Sequence, residues 1–305
     1  MPKPETFTPR FTGQTAERLA FDDFKQVLFN EIIDLAFLED LGDLGSDLTT
    51  SALVGDNPRI VATIYCKSSP AVIAGMPVIE PVFQRLDPEA KVHALVAEGH
   101  KIDSTPIAIG QVQARVGAIL TGERIALNLL QRMCAVATKT SLFVQKAKDL
   151  GISILDTRKT TPGLRLFEKY AVKVGGGENH RFGLNDAILI KDNHVQLAGT
   201  IAKAITMLRA QHPDKPLIVE CTNLDEVKES LNLQVDRILL DNMTAELIQK
   251  AVGLIDRRCF IEVSGGINLD NIESYLQPGV NAISVGALTH SAGSIDLSLE
   301  VENQS

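Results

Sequence analysis

From Gly151 onward the chain alternates two rhythms. Short apolar runs recur: ISILDTRK (152–159), AVKVGG (171–176), AILIKDNHV (187–195), LIVECTN (217–223), RILLDNM (237–243), FIEVSGGI (260–267) and AISVGALT (282–289). Stretches of helical periodicity, IAKAITMLRAQH, LDEVKESLN and AELIQKAVGLI, separate several of them. Near-continuous apolar runs are strands buried on both faces, and strands alternating with helices predict a parallel sheet covered by helices. Seven runs over about 140 residues fit a small barrel better than an open sheet, although a doubly wound sheet has the same pattern.

The first 150 residues follow other periods. Residues 1–23 form an arm without periodicity, and residues 24–40 carry Val27, Leu28, Ile32, Leu35 and Leu38 at helical spacing. GDLGSDLTT (42–50) is a loop, RIVATIYC and AVIAG are strands, and Pro77 opens a helix through Arg85. KVHALVAEGHKI and IGQVQARVGAIL are further strands, after which Thr121 caps a long helix from Gly122 to about Leu150. The expected organisation is an arm (1–23), an α/β domain (24–135) and a βα barrel (136–289). The segment 290–305 is too short to stand alone and packs back on one of the domains.

Composition narrows the class. The chain has 305 residues, 45% of them hydrophobic, and a formal charge of −8. A nucleic-acid binder would carry a basic footprint, so none is expected as partner. There is no apolar run of about 18 residues to span a membrane. The opening MPKPETFTPRFTGQ lacks the apolar segment of a secretory leader. Cys66, Cys134, Cys221 and Cys259 lie far apart without a C-x-x-C pair, which suits reduced thiols in the cytoplasm and not a metal site.

Against this acidic background, residues 152–194 collect Arg158, Lys159, Arg165, Lys169, His180, Arg181 and Lys191. Arg165 and Lys169 fall in a short helix and read as solvated surface. The others stand where apolar runs end, the place where a βα barrel builds its site. Glu220 ends LIV, Asp241 and Asn242 end RILL, Ser264-Gly265-Gly266 end FIEV, and Gly286 ends AISV. Glycines after the last two strands let backbone N–H groups approach an anion, and phosphate is the usual occupant there. The Gly-rich stretch Gly175–Arg181 is a flexible loop with His180 and Arg181 as candidate ligands. His93, His100, His212 and His290 show no metal-ligand spacing and read as structural.

DTRKTTPGLR, VGGGENHRFGLNDAILIKDNH, VECTN, LLDNM and EVSGGI, with GERIALNLLQRMCAVAT upstream, resemble the quinolinate phosphoribosyltransferase family (nicotinate-nucleotide pyrophosphorylase, carboxylating). The likeness runs from about residue 25 onward. It implies the type II phosphoribosyltransferase fold: an N-terminal open-faced α/β sandwich joined to an incomplete, TIM-like α/β barrel. It also implies a reaction, in which quinolinate and 5-phosphoribosyl-1-pyrophosphate give nicotinate mononucleotide, pyrophosphate and CO2 with Mg2+, on the de novo route to NAD.

By the same resemblance Arg124, Arg158, His180, Arg181 and Lys191 form the quinolinate pocket, with Arg124 entering the neighbouring subunit's site in a homodimer. Lys159, Glu220 and Asp241 are the catalytic residues, and Glu220 and Asp241 are the candidates for holding Mg2+ directly or through water. Thr157, Lys159, Lys191, Glu220, Asp241, Ser264, Gly265, Gly266, Val285, Gly286 and Ala287 face the phosphoribosyl donor. The residues alone leave other readings open. One is a similar enzyme that takes nicotinate, or a relative associated with molybdenum uptake. Another is a barrel aldolase with a Schiff base on Lys159 or Lys191. A third is a non-catalytic phosphate-binding module.

Overall fold

The computed structural model describes residues 21–301; the N-terminal arm up to residue 20 lies outside the described residues. The described residues begin with α1 (Phe21–Leu41) and α2 (Leu48–Leu53), followed by β1 (Arg59–Cys66), β2 (Ala71–Val72) and α3 (Met76–Gln84). β3 (Lys91–Ala94), β4 (Lys101–Ile102) and β5 (Ile107–Arg115) complete the first part, and α4 (Val116–Ala147) leads out of it. Asp47 starts α2 by accepting from the backbone N–H groups of Thr49 and Thr50, both at 3.0 Å, so the predicted loop 42–50 ends in a capped helix. The run IGQVQARVGAIL is strand only as far as Arg115. Thr121 is therefore inside α4 and not its cap, and its hydroxyl donates to Asp47 at 3.2 Å.

The N-terminal sheet is antiparallel, in the order β12-β1-β5-β3, where β12 (Leu297–Val301) is the last described element of the chain. Leu297–Val301 pairs with Ala62–Cys66, so the C-terminal segment returns to the first domain. Helices α3 and α4 pack on this sheet, with α1 against α4, which matches the expected open-faced sandwich.

After Gly151 the chain builds a parallel sheet from β6 (Ser153–Leu155), β7 (Ile188–Ile190), β8 (Leu217–Cys221), β9 (Arg237–Asp241), β10 (Phe260–Ser264) and β11 (Ala282–Ser284), in the order β6-β11-β10-β9-β8-β7. The intervening helices are α5 (Arg165–Val174), α6 (Asp192–Ala198), α7 (Ile201–Gln211), α8 (Leu224–Asn232), α9 (Ala245–Ile255) and the single turn α10 (Ala287–His290). Glu178 adds a parallel bridge on the free side of β6, with its N–H on Ile154 at 2.8 Å. Seven strand positions therefore curve around one interior, and no hydrogen-bonded ladder joins Glu178 to β7 among the described residues. This is an incomplete barrel.

One predicted strand is wrong. AVKVGG lies in α5 and its cap, and the strand position belongs to Glu178. Phe167, Glu168, Ala171 and Val172 are buried at the three-and-four spacing of a helix face. The run is too short for its period to be read alone, and Gly175 ends it. The long α4 spans about 48 Å at 1.5 Å per residue. Its buried face, including Leu127, Leu130, Met133, Val136 and Phe143, joins the cores of both parts into one apolar mass.

Candidate active site

The C-terminal ends of the parallel strands surround a cavity of about 570 Å3. Thr157, Arg158 and Lys159 follow β6, His180 and Arg181 follow the Glu178 bridge, and Lys191 follows β7. Glu220 lies in β8, Asp241 ends β9, and Ser264-Gly265-Gly266 closes β10. Gly286 and Ala287 follow β11. All of the named site residues line this one cavity except Val285 and Arg124. Val285 is buried, and its N–H is bound to the carbonyl of Leu155 at 2.9 Å. Arg124 stands on α4 with a largely exposed side chain, in a separate groove with Glu39, Asp40 and Asp47.

One wall is cationic and held from behind. Arg181 donates to the carbonyl of Ala187 at 2.9 Å, while its Nε and that of Arg158 are buried without a hydrogen-bond partner. Burial, and then the charge of Arg158, pull the Arg181 guanidinium below its ordinary pKa. Buried donors without acceptors are costly, so two such forks beside each other mark a place prepared for an anion. Arg165 does not fill that role, nor is it solvated surface. It binds Thr160 at 2.9 Å and the carbonyls of Phe182 at 3.1 Å and Arg158 at 3.3 Å, tying together the two loops that carry the cations.

Lys169 is the larger correction. It is 2% exposed and paired with Asp156, which is fully buried. Lys169 also donates to the carbonyl of His180 at 3.0 Å, and Asp156 accepts the His180 N–H at 2.9 Å. The pair sits at the end of β6, directly before Thr157, and locks the His180 loop against it. Burial pushes the Asp156 carboxyl up to about 6 despite the ammonium beside it, and burial also lowers Lys169.

A second buried carboxylate, Glu168, accepts from Arg132 of α4 at 2.7 Å and from the N–H and hydroxyl of Thr161 at 3.1 and 2.8 Å. Arg132 also holds the carbonyl of Thr289, whose hydroxyl donates to the carbonyl of Lys159 at 2.8 Å. The long helix thus fastens the loop after β6 to the turn after β11.

The same cavity is also lined by acids and glycines. Glu220 pairs with Lys191, and Asp241 accepts from Ser264 Oγ at 2.6 Å. Gly265 has φ +107°, and a Cβ there would lie 2.3 Å from Asn242 Oδ1, so only glycine fits. His290 also lines the cavity, with its Nδ1 against Ser291 Oγ at 2.6 Å. Its spacing suggests a merely structural residue, which it is not, and the sequence signal for it is its place four residues after Gly286.

Glu262 was missed as well. It is fully buried in β10, lines the cavity floor, and takes donors from Arg237 at 2.7 Å and from Ser284. Burial alone would raise its pKa, but the contacts with His180, Ser284 and Arg237 outweigh it and hold the carboxyl below its ordinary range. A charged residue in the middle of an apolar strand run was the available signal, because such burial needs partners.

Comparison with known proteins resolves what the cavity belongs to. Residues 47–134 match the family model described as "Quinolinate phosphoribosyl transferase, N-terminal domain", and residues 136–300 match the one for the C-terminal domain. The chain belongs to the quinolinate phosphoribosyltransferase family. The probable nicotinate-nucleotide pyrophosphorylase [carboxylating] of Bacillus subtilis is 39% identical, over 89% of this chain and 92% of that protein. The corresponding protein of Synechocystis is 42% identical, over 75% of this chain and 79% of that one. The crystal structure of NadC from Streptococcus pyogenes superposes with a TM-score of 0.84 at 37% identity, covering 91% and 98% of the two chains. The family's two-part architecture, a small antiparallel sheet domain and a parallel-sheet α/β domain, is the one described above.

Proposed function

We propose that this cavity transfers the phosphoribosyl group of 5-phosphoribosyl-1-pyrophosphate to the ring nitrogen of quinolinate, with loss of the 2-carboxylate. The products are nicotinate mononucleotide, pyrophosphate and CO2, and the place in metabolism is de novo NAD synthesis. The observation that carries the reading is the pair of buried, unpartnered guanidinium nitrogens of Arg158 and Arg181 lining one cavity with Glu220 and Asp241. Membership of the family and the printed activities of relatives such as the B. subtilis protein support it.

The chain's residues divide the work. Arg158, Arg181 and Lys191 neutralise the adjacent carboxylates of quinolinate, with the His180 ring in the same wall, and guanidinium forks suit carboxylates. The Ser264-Gly265-Gly266 and Gly286-Ala287 turns receive phosphate, with Thr157, Lys159 and His290 beside them. The C1′–O bond to pyrophosphate breaks and the C1′–N bond forms, so positive charge builds on the ribose. Glu220 and Asp241 stabilise that charge or hold the ribose hydroxyls. The ribosylated ring then accepts the electron pair of the departing CO2 at C2, and that carbon takes up a proton.

Mg2+ supplies charge neutralisation for the pyrophosphate when bound. Among the described residues no cluster of three or more His, Cys, Asp or Glu side chains forms a metal cage. Two carboxylates, one tied to Lys191 and one to Ser264, suit an ion that arrives with the phosphates, and Glu220 and Asp241 would share it.

Among the described residues, Arg124 lines a groove separate from the cavity that holds the other cations. Leu35, Leu38, Leu48, Leu53 and Leu120 are exposed on the helices around it. Exposed leucines on the helices near an exposed guanidinium support a homodimer in which Arg124 completes the partner's quinolinate pocket. No described helix is long and apolar enough to cross a membrane, and the four free thiols suit a cytoplasmic setting. An aldolase reading fits less well, since the Lys191 amino group is engaged by the Glu220 carboxylate and a Schiff base needs it free to attack.

Mixing the protein with quinolinate, the ribose donor and Mg2+ should yield nicotinate mononucleotide and CO2, and nicotinate in place of quinolinate should not. Turnover of nicotinate, or of neither acid, overturns the reading.

A further inference from the structure

A carboxylate in the floor of a pocket for a dianion is at first sight misplaced. Glu262 is fully buried, yet the cavity above it must attract two carboxylates. Its neighbours explain what it does. Arg237 binds one oxygen at 2.7 Å; Ser284 Oγ donates to the other, and the same oxygen stands 3.3 Å from Nε2 of His180. On the far side of that ring, Nδ1 accepts the backbone N–H of Arg181 at 2.8 Å. A nitrogen that accepts from an N–H carries no proton. With Nδ1 used as an acceptor, the ring's donor is Nε2, where Glu262 faces it. The Nε2 atom is buried and off the line of a hydrogen bond to Glu262, so it keeps its donor for something else in the cavity.

We propose that Glu262 is a positioning residue for the acid-binding wall: its buried carboxylate fixes His180 as a neutral Nε2–H donor and, through Nδ1, sets the backbone that carries Arg181. This deepens the reading of the site given above and rests on it. Only the proton on Nε2 is compatible with both neighbours. If the proton moved to Nδ1, it would confront the Arg181 N–H, and the Arg181 loop would shift. Glu262 touches no reacting atom. Its influence on the dicarboxylate runs through His180 and Arg181.

The first test needs no turnover. Nitrogen NMR of the histidine-labelled full-length protein, with the His180 signals assigned by their loss in His180→Gln, should show the neutral Nε2–H form at pH 7. An imidazolium or an Nδ1–H form there overturns the proposal, whatever the variants do. In Glu262→Gln the amide can present its NH2 to the ring, so the Nε2–H form should lose its dominance. The KM for quinolinate should rise by roughly tenfold to a hundredfold, as expected for a misplaced binding group, with the KM for the ribose donor within about twofold of the parent. Ser284→Ala removes a donor from the same carboxylate oxygen without touching His180 and should leave the tautomer unchanged. Glu262→Gln and His180→Gln should be non-additive in the KM for quinolinate. An unchanged tautomer in Glu262→Gln, equal rises in both KM values, or multiplying effects in the double variant would each show a merely structural carboxylate. Failure of the activity itself would instead strike the functional reading, and the tautomer result would still stand or fall alone.

Discussion

Replacing Lys169 by methionine isolates the strongest electrostatic element behind the site. Methionine keeps much of the lysine volume and removes the ammonium from a place that is 2% exposed, beside a fully buried Asp156. Breaking one side of a buried ion pair costs about 3–5 kcal/mol, because the remaining charge has lost its partner in a medium that solvates it poorly. At ~2 °C per kcal/mol for a chain of this size, the melting temperature should fall by about 6–10 °C. The loss has a pH signature. In the parent, burial has already moved Asp156 from 3.8 to about 6, so the folded state binds more protons than the unfolded one between those values. The contribution of this group is therefore fully present below 3.8 and declines as pH rises through about 6. Without the ammonium the carboxyl is raised further, so the decline extends to higher pH, and the deficit of Lys169→Met should be larger at pH 8 than at pH 5. The double variant Asp156→Asn/Lys169→Met keeps an acceptor for the His180 N–H and removes both charges, and it should recover much of the loss. Thermal melts at pH 5 and pH 8, at one protein concentration, decide the matter. A deficit under about 1 kcal/mol at pH 8, or one that does not change with pH, would refute the argument.

Other outcomes follow from the same geometry. Arg124→Ala should abolish turnover with little change in melting temperature, since the side chain is 62% exposed. Mixed and reassorted with Lys159→Ala, it should regain roughly a quarter of the parent rate, because half of the dimers then hold one intact site; no recovery would argue against a shared site. Glu220→Gln and Asp241→Asn should lower kcat by about a hundredfold while quinolinate binding, measured by calorimetry, changes far less. Equal losses in both would contradict a role in the transition state. Gly265→Ala places a Cβ 2.3 Å from Asn242 Oδ1 at a φ of +107° and should raise the KM for the ribose donor more than that for quinolinate. An unchanged donor KM would remove that turn from the phosphate site.

Much of the fold was legible because its signals are local. Leu217–Val219, Ile238–Leu240 and Ala282–Ile283 are buried runs on a covered sheet, and their apolar continuity follows directly from that burial. The cavity wall was legible for the same reason, since every strand end stands at the edge of such a run. The misreadings share a different cause. AVKVGG shows a helix only when Phe167 and Glu168 are counted on its face, and Thr121 looks like a cap only while Val116–Leu120 is taken for strand. Both errors come from runs too short to reveal their period.

The buried charges are a separate matter. Lys169, Glu168 and Glu262 look like surface residues or interruptions in sequence, because a charge is expected in water unless its partner is known. Their partners are Asp156, Arg132 and the trio of Arg237, Ser284 and His180; of these, the nearest lies 13 residues away and the farthest 82. All three meet loops that carry site residues: Asp156–Lys169 holds His180, Glu168–Arg132 holds Thr161 and Thr289, and Glu262 faces His180. An anion pocket needs cations that stay in place before the anion arrives, and mutual repulsion among Arg158, Arg165 and Arg181 opposes that. The carboxylates of Asp156 and Glu168 beside Arg165, and of Asp186 beside Arg181, offset that repulsion without lining the cavity themselves. The charge that binds is therefore readable from strand ends, while the charge that holds it there becomes visible only once distant parts of the chain are brought into contact.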